Sequence, residues 1–65
     1  MNSKEIGYLI KKKRSEVSLK QYELAEKLDI SRTYLSDLEN GRYLPSAKLL
    51  FKINKELQLF IFAKE

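Results

Sequence analysis

The sequence contains no cysteine and no histidine. Without cysteine there is neither a disulfide nor a thiolate metal site to stiffen a small core. Without histidine, the usual acid-base group near neutral pH and the commonest metal ligand are both missing. No nucleophile-base pair, metal cluster or phosphate-cradling loop takes their place. Enzymatic activity is therefore not expected, and no cofactor is implied. No segment approaches the ~20 consecutive apolar residues that span a bilayer. The opening residues, MNSKEIGYLIKKKR, place their charge after a short apolar stretch, the reverse of a secretory signal. A cytoplasmic protein with no membrane partner is the expectation.

Sixty-five residues, 43% of them hydrophobic, supply one compact core and not two. Such a chain is marginal as a monomer, so stability shared with a partner is expected, and no room remains for an effector-sensing domain. Thirteen basic against nine acidic residues leave a net charge of +4, which suits a polyanionic partner. Residues 1–58 read as one domain and residues 59–65 as a dimerisation strand or tail.

Four helical segments fit the apolar spacing. In the first, Ile6, Leu9, Ile10 and Lys13 recur on one side, closed by Val17, with Ser3 as the expected N-cap. Its Lys11-Lys12-Lys13-Arg14 run is compatible with a solvated, dipole-complementing last turn as well as with phosphate contact. The second, SLKQYELAEKL, turns Leu19, Leu24, Ala25 and Leu28 inward, with Ser18 and Gln21 in the spacing of a capping box. Asp29 can end it in the left-handed region. Ser31 caps the third, RTYLSDLEN, which buries Leu35 and Leu38 and stops at Gly41. After an Arg42-Tyr43-Leu44 loop, Ser46 caps a fourth helix with Leu49, Leu50, Ile53 and Leu57 as its stripe.

The tail departs from this pattern. Residues 59–63 are all apolar, which fits a fifth short helix or a strand buried on both sides. The strand is preferred, with Leu59, Phe60, Ile61 and Phe62 pairing with the same strand of a second copy. The expected fold is thus all-α, four helices or five, with a C-terminal β-strand shared across a dimer.

Two short helices joined by a three-residue turn, at 19–40, make a helix-turn-helix. Spacing alone is also met by any small bundle with a tight turn. The particular residues go further. The run from Gln21 to Arg42, followed by Pro45-Ser46, resembles the lambda repressor/Cro-like helix-turn-helix family, also called the xenobiotic-response-element family. The resemblance covers residues 6–57 and includes Ile6, Arg14, Leu24-Ala25, Ser36, Glu39, Gly41 and Pro45.

That likeness implies double-stranded DNA as the partner, with the second helix of the motif in the major groove. It places Arg32, Thr33, Ser36 and Asp37 against base edges or adjacent phosphates. Arg32 is the candidate for guanine and Thr33 for a thymine methyl or a phosphate; Asp37 accepts from cytosine N4 or orients Arg32 or a neighbouring side chain. Lys20, Gln21, Tyr22, Asn40, Arg42 and Tyr43 are implied backbone contacts, Gln21 also bracing the recognition helix. Arg14 and Glu39 resemble a structural ion pair of the family. Lys20 and Asp29 depart from it, standing where a Ser or Thr cap and a turn glycine are common. The function these residues suggest is a homodimeric repressor on a palindromic operator. The apolar ending is also similar to that of antitoxins whose terminal strands pair, which offers a toxin-neutralising protein as the alternative.

Overall fold

A computed structural model describes residues 1–60 and holds four helices: α1 (Ser3–Glu16), α2 (Gln21–Leu28), α3 (Arg32–Glu39) and α4 (Ala47–Leu57). Helices α1 and α2 each pack against both α3 and α4. Among the described residues ten apolar side chains form the core, and Ile10, Leu24, Leu28, Leu35, Leu38 and Ile53 are fully enclosed. Leu19, Ile30, Tyr34, Leu50 and Leu59 pack around it half-buried. Among the described residues no helix is long and apolar enough to cross a membrane.

Each helix is fixed at both ends by local hydrogen bonds. Asn2, not Ser3, caps α1: its Oδ1 accepts from the Glu5 amide at 2.8 Å, and Glu5 Oε1 accepts from the Asn2 amide at 3.1 Å. Ser3 lies one residue inside the helix and donates to the Gly41 carbonyl at 3.0 Å. Ser18 does not cap α2 either. It sits at φ 61°, finishing α1, while α2 opens at Lys20, whose amide is held by the Glu23 carboxylate at 2.8 Å. The capping pair expected of Ser18 and Gln21 is thus shifted two places, because Ser18 is spent on the preceding turn. Ser31 and Ser46 cap α3 and α4 through the Tyr34 and Leu49 amides. Val17 is half-exposed and Lys13 pairs with Glu16 at 3.7 Å, so neither belongs to the inward stripe.

The first three helices end in one motif. A residue in the left-handed region, Ser18, Asp29 or Gly41, reverses the chain, and the next amide donates back to a carbonyl five residues earlier. Leu19 reaches Arg14, Ile30 reaches Ala25, and Arg42 reaches Asp37, each at 3.0 Å. These Schellman closures satisfy carbonyls that a helix end otherwise leaves bare. They also shorten the connections, so the angles between helices are set by backbone and not by loose loops.

At the C-terminal end the expected strand is overturned. Gln58 turns at φ 55°, its amide bonded to the Asn54 carbonyl at 2.6 Å. Leu59 then folds onto the core, and the Phe60 amide donates to Asn54 Oδ1 at 2.7 Å. Leu59 is thereby turned against the protein's own core and Phe60 is tied to α4, so neither stands in a ladder. No strand occurs among the described residues. Ile61 and Phe62, the other half of the expected pairing segment, lie outside them. The paired ribbon and the antitoxin likeness that rested on it lose their ground at 59 and 60.

One close approach was not read from the sequence. Gly7 is buried on the face of α1 that meets the end of α3. A Cβ there would collide with the Leu38 carbonyl oxygen and come within 2.8 Å of that of Glu39. Both obstacles are backbone, so no rotamer change relieves them. Gly7→Ala gains up to about 1 kcal/mol of helix propensity but overpacks a rigid contact at about 1–3 kcal/mol. A net loss of about 1 kcal/mol, seen as a lower urea midpoint with unchanged slope, is expected. A raised midpoint would show that α1 is free to back away from α3.

Candidate nucleic-acid interface

Ser31 caps α3 with its side chain, which leaves the next residues, Arg32 and Thr33, projecting from the first turn into solvent. One helical turn on, Ser36 and Asp37 are half-exposed. With Gln21 from the start of α2, these four side chains line one shallow, open concavity. A second concavity adjoins it, lined by Ser31, Thr33, Tyr34, Asp37, Tyr43 and Leu44. Thr33 and Asp37 belong to both, so a continuous face runs from the start of α2 across α3 to the loop before α4.

What holds this face in place lies beneath it. Glu39 is the buried polar residue of the described core, its side chain 2% exposed. Arg14 Nε donates to its Oε2 at 2.7 Å and Arg14 Nη2 to its Oε1 at 3.1 Å, a two-pronged pairing that fits the planar guanidinium. The third prong, Arg14 Nη1, donates to the Leu19 carbonyl at 2.9 Å. Gln21 Nε2 donates to Glu39 Oε1 at 2.9 Å, and Gln21 Oε1 faces Arg32 Nε at 3.5 Å. A chain of polar contacts therefore runs from α1 through the end of α3 and the start of α2 to the exposed Arg32.

The flanking residues have local partners. Asn40 Nδ2 donates to the Ser36 carbonyl at 2.9 Å, and Lys4 Nζ to the Asn40 carbonyl at 3.5 Å. Arg42 Nε lies 3.6 Å from Asp37 Oδ1. Tyr43 sits 6.3 Å from Tyr34 between ring centroids, its own side largely in solvent. Lys20 and Tyr22 are exposed at the start of α2. Of the residues read as dimerisation contacts, Leu59 and Phe60 are on α4's side of the molecule, half-buried, and not on this face.

Several contributors escaped the sequence reading. Ser3 and Lys4 satisfy carbonyls just past α3, and Lys52 Nζ donates to the last carbonyl of α2, Leu28, at 3.1 Å. Lysines at helix C-termini are a general signal, but Lys4 and Lys52 reach the ends of other helices, which only the packing reveals.

Comparison with known proteins gives consistent matches. A family model described as helix-turn-helix matches residues 10–59. The chain is 60% identical over 53 residues to the ImmF control region 10 kDa protein of Bacillus phage phi105, covering 82% of this chain and 59% of that protein. It is 49% identical over 45 residues to the immunity repressor of the same phage, covering 69% and 31%. Among solved structures it resembles the clp gene regulator ClgR from Corynebacterium glutamicum, with a TM-score of 0.82, 32% identity, and coverage of 86% and 60%. The chain thus spans between about a third and three fifths of the length of these relatives.

Arg14→Met keeps the unbranched apolar stem of the side chain and removes the charge that pairs with the Glu39 carboxylate. Leaving one member of a buried pair unpartnered costs about 3 kcal/mol. Urea unfolding should show a loss of that order, a large part of the stability of so small a domain. A loss below about 1 kcal/mol would show that Gln21 and water suffice for Glu39.

Proposed function

The chain belongs to the lambda repressor/Cro-like helix-turn-helix family, and from that premise we propose that it is a sequence-specific DNA-binding regulator of transcription, a repressor acting as a homodimer on a palindromic operator. The observation that carries the reading is the outer face of α3. Arg32, Thr33, Ser36 and Asp37 project together from a short helix whose base is anchored by a buried ion pair. A helix that merely solvated a bundle would need neither the anchored Gln21 beside it nor hydroxyls in place of longer charged side chains.

In this reading α3 enters the major groove by its N-terminal turn while the start of α2 lies over the DNA backbone. Arg32, steadied by Gln21, presents a planar fork to guanine O6 and N7. Thr33 offers a methyl and a hydroxyl to the adjoining base or phosphate. Lys20, Gln21, Tyr22, Asn40, Arg42 and Tyr43 flank the groove and act on phosphates. These contacts supply affinity and register without reading sequence. An eight-residue helix reaches only a few base pairs, so two copies related by a two-fold axis give the operator length that specificity requires. The repressor role is supported by the likeness to a phage immunity repressor and to a protein of a phage immunity control region.

Selection from a random duplex library tests the reading as a whole. An inverted repeat whose half-site centres lie ~34 Å apart, or a multiple, is expected. A lone, unrepeated half-site would exclude the dimer, and recovery of no sequence preference would exclude the regulator. On the selected site Arg32→Ala should lose about 1–3 kcal/mol of binding while hardly changing affinity for an unrelated duplex. Equal losses on the two would reduce Arg32 to a phosphate contact.

A further inference from the structure

The three Schellman closures differ in one respect. This motif brings the side chain just past the left-handed residue onto the last full turn of the helix, where an apolar contact usually accompanies it. At the ends of α1 and α2 the residue in that position is Leu19 or Ile30, and both pack against the core. At the end of α3 it is Arg42, and the helical residue opposite is Asp37. The expected apolar contact is replaced by an ion pair, Arg42 Nε to Asp37 Oδ1 at 3.6 Å. The Asp37 side chain is 27% exposed and that of Arg42 67%, so the pair contributes little to stability. Gly41, at φ 77°, holds Arg42 over α3 whether or not the charges meet.

We propose that Asp37 is an internal competitor for phosphate, which withholds Arg42 from the DNA backbone until Asp37 finds a base amino group. The inference rests on the DNA-binding reading above. Asp37 lines both concavities of the recognition face, so its carboxylate meets whatever edge the major groove presents there. Cytosine N4 and adenine N6 offer a donor to it, whereas guanine O6 and thymine O4 offer only acceptors. Against either donor, the carboxylate accepts from the base and releases Arg42 to a neighbouring phosphate. Against an acceptor edge, releasing Arg42 leaves an uncompensated carboxylate facing acceptors and phosphates, and the pair stays closed. Asp37 thereby converts Arg42, by itself a sequence-blind cation, into a contact made only on the correct site. Weak pairing is required for this, because a strongly held pair would never exchange.

A four-way comparison tests it: the intact protein, Asp37→Ala, Arg42→Ala and the double variant, each titrated on the selected site and on an unrelated duplex over a range of salt. Asp37→Ala should tighten binding to the unrelated duplex and steepen its salt dependence by about one phosphate's worth. That is roughly a threefold change between 50 and 200 mM salt. In the Arg42→Ala background the same substitution should leave the salt slope unchanged, which separates release of Arg42 from mere removal of a negative charge. Discrimination at one base pair of the selected site should fall as well. An Asp37 effect that is the same with and without Arg42, or an unaltered salt slope, overturns the proposal while leaving the DNA reading intact. Failure of the intact protein to prefer any duplex overturns both. Asp37→Asn, nearly isosteric, provides the same readings should the alanine variant lose helix content by circular dichroism.

Discussion

Glu39 carries a carboxylate into an interior otherwise built of leucine, isoleucine and alanine, where an unpaired charge costs several kcal/mol. Three donors answer it, two from Arg14 and one from Gln21. Those donors come from α1 and α2, and the acceptor ends α3, so satisfying one charge fixes the mutual placement of three helices. An apolar trio of similar volume would hold the helices together equally well, and with less desolvation. It would not fix the orientation of Gln21. Because Gln21 turns its amide nitrogen inward to Glu39, its oxygen is left pointing outward to Arg32. The exposed Arg32, the side chain proposed to meet a base, is thus oriented by a charge buried on the far side of the motif.

The same economy governs the connections. The buried network holds only if the helix axes meet at fixed angles, and short Schellman reversals at Ser18, Asp29 and Gly41 provide this. Gly7 then decides how near α1 approaches the end of α3, since nothing larger than hydrogen fits against the Leu38 and Glu39 carbonyls. A shift of α1 by the width of one methyl would move the Arg14 guanidinium away from Glu39. Packing, backbone reversal and ion pairing therefore depend on one another.

Much of this was legible in the residues. Leu24, Ala25, Leu28, Leu35, Leu38, Leu49, Ile53 and Leu57 were all read as inward-facing from helical spacing, and the structure buries each. Asp29, Gly41, Ser31 and Ser46 perform the local roles their residue types suggest. The misreadings have physical causes. Asn2 and Ser3 are both good caps one residue apart, and only the partner for the leftover hydroxyl, the Gly41 carbonyl, distinguishes them. Ser18 satisfies a capping pattern in sequence but is used by the turn before. The run after Leu57 has strand composition, yet at Leu59 and Phe60 the backbone is decided by Asn54, whose side-chain oxygen captures the Phe60 amide. A polar residue six positions upstream cannot be weighed by local propensity. The residues proposed to meet DNA were singled out by likeness to a family. What the structure adds is which of them share a face and what braces them.

The charges of α3 follow a common logic with that bracing. The helix from Arg32 to Glu39 carries one basic and two acidic side chains, an unfavourable balance for a segment proposed to lie between phosphates. Each acid, however, has an arginine of its own from outside the helix: Arg14 from α1 for Glu39, and Arg42 from the following loop for Asp37. The helix therefore presents little net field of its own, apart from Arg32 at its leading end. Most of the excess positive charge of the chain lies elsewhere, in α1, in Lys20 at the entry to α2, and along α4. In the proposed complex, sequence-independent attraction, which acts at the range of a Debye length, is thereby separated from the short-range contacts proposed to distinguish bases. A recognition helix rich in lysine would bind every duplex nearly alike. On the proposed reading, a helix whose half-exposed acid is individually compensated keeps the capacity to reject, because a base that displaces Arg42 from Asp37 must supply the donor the arginine gave.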